Sequence, residues 1–282
     1  MHRVKTLVSL GLVLSVISGR AVAEEVLKKT TRGNPGIRSI NVISFAPGGV
    51  LFIGDGTTSR IVAVRTGDAS PQGGLTKKIN AFDKELAGRL GAGPDDVEFL
   101  DMAVNPASGK AYFAVRKQDD KSHLILTVDR DGKIGEFSLD SVEYAAVGLS
   151  AGKVKISVIT DVAWADGKVL AACRGNETFA SKIFSIDAPL SHEATGNIYS
   201  AETYHVSHRR WETKAPMSVL IPFKEGDKTY VVGAFSCTPV VKYPLDAVSP
   251  GAKIKGTSVI ELGSGNRPID MIVYEKAGKP YV

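Results

Sequence analysis

One pattern recurs along this chain: an apolar run, a turn rich in glycine and small polar residues, and a second apolar run. It is clearest at Asp101–Arg116, where Met102-Ala103-Val104 and Ala111-Tyr112-Phe113-Ala114-Val115 flank Asn105-Pro106-Ala107-Ser108-Gly109-Lys110. The flanks hold β-branched and aromatic residues suited to strands, and the middle holds turn formers. The same pattern begins at Asn41, Asp161, Ser218 and Asp270, so the steps are 60, 60, 57 and 52 residues. The runs are nearly continuous, not alternating, which predicts strands covered on both faces.

After each of the first four hairpins comes a third strand-like run: Arg60–Val64, Leu124–Asp129, Lys182–Asp187 and Pro239–Leu245. A repeat of this length, made of strands and turns, predicts an all-β fold, a β-propeller. Four blades read as complete, and a fifth stops inside its second strand at Val282. A closed ring of six or seven blades would need about 50 to 150 further residues at this period, so the sequence reads as a fragment of a longer chain. The propeller is assigned residues 39–282 and is expected to be incomplete at its C-terminal end. Residues 24–38 are expected to form an arm or closing strand.

Blade one runs from Asn41 to about Lys78, without a clear fourth strand. Blade two runs from Asp101 to about Ala146, with Asp129–Lys133 as a hairpin turn. Blade three runs from Asp161 to about Tyr204 and blade four from Ser218 to Leu262. Tyr204–Glu212 alternates enough to predict one more strand. The helical exception is Ala81–Glu98, where Phe82, Leu86 and Leu90 recur at helical spacing before Gly91-Ala92-Gly93-Pro94.

The segments Gly49–Val64 (GVLFIGDGTTSRIVAV) and Leu124–Phe137 (LILTVDRDGKIGEF) resemble blades of the extracytoplasmic NHL, YVTN and quinoprotein-like propellers. The resemblance covers roughly residues 38–282 and implies architecture. It implies no particular chemistry, because one propeller scaffold hosts many activities.

Residues 1–23 have a basic start (Arg3, Lys5), an apolar core from Leu7 to Ile17 and Ala21-Val22-Ala23 as a cleavage site. This reads as a secretory signal peptide, too short for a membrane span, and predicts a periplasmic or secreted protein. The net charge of +5 includes Arg3, Lys5 and Arg20; without them 32 basic residues face 30 acidic ones. That balance argues against nucleic acid as a partner. Cys173 and Cys237 are the two cysteines. Export permits a disulfide between them, and two free thiols are the alternative.

Antiparallel return places each first-strand start beside the end of its second strand. Asn41, Asp101, Asp161 and Ser218 are thus expected to meet Asp55, Arg116, Arg174 and Cys237 at one mouth of the central channel, joined by Asp270 at the start of blade five and Arg267 just outside it. Such a polar concavity is the default ligand site. Its arginines suit a small anionic ligand or a periplasmic protein. In a purely structural reading the same aspartates and arginines knit neighbouring blades together.

No catalytic motif appears: no G-x-S-x-G elbow, P-loop, dinucleotide fingerprint or C-x-x-C-H haem site is present. Catalytic residues are therefore unknown, and the leading expectation is a binding scaffold without a cofactor. One alternative is a lactonase-type calcium site built from Asn41, Asp55, Asp101, Asp161 and Asp270, which the arginines would oppose. Another is a redox partner with a cofactor domain beyond residue 282. No metal site is expected among the histidines, because His205 and His208, three apart on a strand, would point to opposite faces.

Overall fold

The computed structural model describes residues 25–282 apart from Ala151, Thr238, Val248 and Ser264. Residues 1–23, expected from the sequence to form a signal peptide, lie outside the described residues. The chain is all-β, with four small sheets in a ring, the arrangement of a four-bladed β-propeller. Among the described residues no helix is long and apolar enough to cross a membrane.

Blade one starts with the meander Val42–Ala46, Val50–Asp55 and Arg60–Arg65. Its first turn, Pro47–Gly49, puts Gly48 and Gly49 at φ +71° and +73°, where a side chain is strained. A Cβ on Gly49 would also stand 2.9 Å from the carbonyl oxygen of Asp68. Blade two comprises Val97–Val104, Ala111–Lys117, His123–Val128 and Ile134–Glu136. Blade three comprises Ile156–Ala165, Lys168–Gly175, Ser181–Asp187 and Asn197–Glu202. Blade four comprises Met217–Glu225, Lys228–Phe235, Pro239–Pro244 and Thr257–Glu261. Beyond it a hairpin pairs Tyr274–Lys276 with Lys279–Tyr281.

The fourth strand of blade one comes from far along the chain. Val142–Gly148 pairs antiparallel with Arg60–Arg65, Val62 opposite Ala146. Thr31–Gly33 then pairs outside it. Val142–Gly148 therefore belongs to blade one, a correction to the expectation that blade two extends to Ala146. The first strands follow one another around the axis in the order two, one, three, four. The chain builds blade one, crosses to one side for blade two, returns to finish blade one, and continues to blade three on the other side.

The continuous apolar runs follow from this stacking, because alternate residues of each second strand face different neighbours. In blade one Leu51 and Ile53 join the core shared with Tyr112, Ala114 and Ile125 of blade two. Val50 and Phe52 join the core shared with Val169, Ala171 and Phe184 of blade three. Leu170 and Ala172 face Val231 and Phe235 of blade four. The far face of blade two is covered by the helix Phe82–Arg89 through Leu86 and Ala87. The far face of blade four meets Met271.

Candidate functional site

The inner strands carry a repeated irregularity. The ladder skips one residue between Phe99 and Asp101, between Ile159 and Asp161, and between Met217 and Val219. A bulge bends its strand and re-aims the adjacent side chain. Here it directs the aspartates sideways, toward the next blade. Asp101 accepts hydrogen bonds from the Ile43 N–H of blade one and from its own neighbour Met102, both at 2.7 Å. Asp161 accepts from the Leu220 N–H of blade four at 2.6 Å and from Val162 at 2.7 Å. Ile43 and Leu220 hold the same place in their repeats, two residues after Asn41 and Ser218. Asp270 begins the same pattern, accepting from Met271 at 2.7 Å.

These three carboxylates line one channel cavity of about 460 Å³. Its walls include Phe45, Met102, Val104, Trp164 and Leu220, and no lysine or arginine lines it. Asp101 and Asp161 are partly open to the channel and otherwise enclosed by protein. Burial pushes the Asp101 carboxyl up to about 6; the N–H groups of Ile43 and Met102 pull the other way, and the charge of Asp270 adds to the rise. Burial likewise raises the Asp161 carboxyl well above its ordinary value; the Leu220 and Val162 N–H groups pull the other way, and the charges of Asp101 and Asp270 add to the rise.

The arginines do not join this group. Arg116 stands opposite Glu98 across the sheet and forms its ion pair there, while Asp101 stands opposite Ala114. The first strand begins at Val97, not at Asp101, so the expected Asp101–Arg116 edge is corrected by one turn of the pleat plus the bulge. Likewise Arg174 is exposed and stands opposite Val158, whereas Asp161 stands opposite Ala172. Asn41 accepts the Gly56 N–H at 2.8 Å, which closes a blade-one turn.

Asp55 is fully buried, away from the channel cavity. Burial would raise its pKa, but Thr58, the Arg38 N–H, Ser39 and Arg60 together hold it below its ordinary value. Asp55 pairs with Arg60 of the same blade at 3.2 Å, while the Arg38 and Ser39 N–H groups that donate to it, and the Pro35 and Gly36 carbonyls that accept from Arg60, tie the N-terminal segment to blade one.

Cys237 and Arg267 belong to a different concavity, of about 260 Å³, with Ser207, His208, Ser236 and Asn266. The histidine–cysteine grouping there was not legible as a strand pattern. Tyr204-His205 and Arg210-Trp211 form a hairpin, not the single strand expected over Tyr204–Glu212. The reversal stacks the His205 and His208 rings, with centroids 4.1 Å apart. His205 Nε2 lies 3.1 Å from Cys237 Sγ, and His205 Nδ1 lies 3.4 Å from Glu261 Oε1. A His-x-x-His spanning a turn, with Ser207 and Arg209 at its tip, was the available signal. Cys173 is buried in blade three, and both thiols are free.

The fold and the channel define the class: a four-bladed β-propeller with a carboxylate-lined channel. No protein-family model matches the chain, and no curated protein matches it either.

Proposed function

We propose that this protein is an exported, non-enzymatic binding propeller whose channel receives a positively charged group carried on an apolar body. One observation carries the reading: Asp101, Asp161 and Asp270 face a cavity with apolar walls and no basic residue in its lining. Carboxylates gathered without a counter-charge repel one another, and an ammonium among them relieves that repulsion. The cavity volume is within the range of small-molecule sites. This reading replaces the anionic ligand expected from the arginines, which lie outside the cavity. Export rests on the N-terminal sequence, and kinship with NHL, YVTN and quinoprotein-like propellers rests on the blade segments Gly49–Val64 and Leu124–Phe137.

The test is calorimetric titration with phenethylammonium and with phenylpropionate, which share a ring and differ in charge. The ammonium should bind and the carboxylate should not. Asp270→Asn, at an exposed position, should weaken ammonium binding about tenfold while leaving the melting temperature in place, a loss equal to about 1.4 kcal/mol. Equal binding of the two probes, or an unaffected Asp270→Asn variant, would remove the proposal.

A further inference from the structure

We propose that His205, His208 and Cys237 form a site for a thiophilic transition-metal ion of the zinc or copper class, separate from the channel. Their ligating atoms, two imidazole nitrogens and one sulfur, all lie within 4.8 Å of one another. Among the described residues this is the one group of three such side chains so placed. Zinc binds nitrogen at about 2.0–2.1 Å and thiolate at about 2.3 Å, so tetrahedral angles place N and S about 3.5 Å apart. The His205 Nε2 to Cys237 Sγ separation is 3.1 Å, which an ion would widen by a few tenths of an ångström. His208 is exposed on the hairpin turn, and its ring is stacked on that of His205, so binding would require it to turn toward the ion.

The surroundings have the form of a metal site. His205 is buried, and its other ring nitrogen faces Glu261 at 3.4 Å. Glu261 is itself fixed by the Val206 N–H at 3.1 Å. A carboxylate behind a histidine orients the ring and raises its basicity as a ligand. The donor set selects the ion. Thiolate and imidazole suit zinc or copper, whereas magnesium and calcium take oxygen ligands. On binding, the Sγ–H bond breaks, the metal–sulfur bond forms, and the proton leaves to solvent. Three protein ligands leave one position of a tetrahedron open. The neighbouring concavity contains Arg267 and Asn266, so an anionic or neutral oxygen donor would complete the shell.

The test uses the reduced, metal-free full chain and cobalt(II) as a coloured probe, displaced afterwards by zinc. One equivalent of cobalt should produce tetrahedral visible bands and a thiolate-to-cobalt charge-transfer band. Cys237→Ser should abolish the charge-transfer band, and His208→Ala should weaken affinity at least tenfold. Glu261→Gln should weaken it by about 10–100-fold, the usual effect of losing such a supporting carboxylate. Zinc should also protect Cys237 from alkylation. His208 is exposed and Cys237 half-buried, so these variants test the site even if a substitution at the buried His205 prevents folding. Absence of the charge-transfer band, affinity unchanged in both Cys237→Ser and His208→Ala, or alkylation that zinc does not slow would each overturn the proposal. The last outcome would leave a thiol–imidazole pair only.

Discussion

At the scale of residues, the channel aspartates have two roles that pull on one another. Asp161 satisfies two backbone N–H groups on adjacent inner strands, one of them in another blade. Its cost is a charge held in poor solvation beside Asp101 and Asp270. Truncation to alanine leaves those N–H groups without their acceptor, at about 1–3 kcal/mol each. Asp161→Ala is therefore expected to destabilise the fold by about 2–4 kcal/mol, read from urea unfolding; a variant within error of the wild type would show that the carboxylate staple contributes nothing.

Asp101 gives a pH signature. Its carboxyl titrates near 4 in an unfolded chain and at about 6 in the folded one. Between those values the folded state holds the proton and the unfolded state does not. Stability from this group therefore falls as pH rises from about 4 to about 6, by at most about 3 kcal/mol, and is level above that. Subtracting the pH profile of Asp101→Asn from that of the wild type should reveal this descending step. A difference that is flat, or that climbs with pH, contradicts the assignment.

At the scale of elements, the most informative strand is Val142–Gly148. It follows blade two in sequence, yet its Ala145 and Val147 are fully buried in the core between blades one and three. Its amides pair with Arg60–Arg65 on one side, and Thr31–Gly33 covers the other. Amide hydrogen exchange should therefore show Val142–Gly148 protected together with Arg60–Arg65, as one cooperative unit. Protection that instead tracks the short strand Ile134–Glu136 would place it in blade two. Gly54 marks the same junction: a Cβ there would lie 2.8 Å from Val42 and 3.1 Å from Ile159 of blade three.

At the scale of the whole molecule, the ring order two, one, three, four decides which groups share the axis. It brings Asp101, Asp161 and Asp270 to one cavity although they lie 60 and 109 residues apart. It does not gather them within one ion's reach, since the tight cluster is the histidine–cysteine one. Millimolar calcium is accordingly expected to leave the melting temperature unchanged. A rise of several degrees would restore a calcium-dependent reading through ligand linkage.

The repeated hairpins, the burial of both faces of the second strands in the first four blades and the helix near Phe82 were legible in the sequence by itself, whereas the inner run Met102–Val104, expected to be covered on both faces, exposes Met102 and Val104 to the channel. Each legible feature is written in a local pattern: apolar runs of strand length, turn residues between them, and helical spacing in one place. The sequence also placed Asp101, Asp161 and Asp270 at one position of the repeat, together with Asn41 and Ser218 and within a wider set that included the arginines. The tertiary structure alone decided their neighbours. A bulge inserts one residue and shifts the register, so Arg116 met Glu98 and the channel kept only carboxylates. The return of Val142–Gly148 to blade one is a pairing across about eighty residues, and nothing local to either strand specifies it. The meeting of His205, His208 and Cys237 depends on where a turn reverses the chain, which strand parity alone does not reveal.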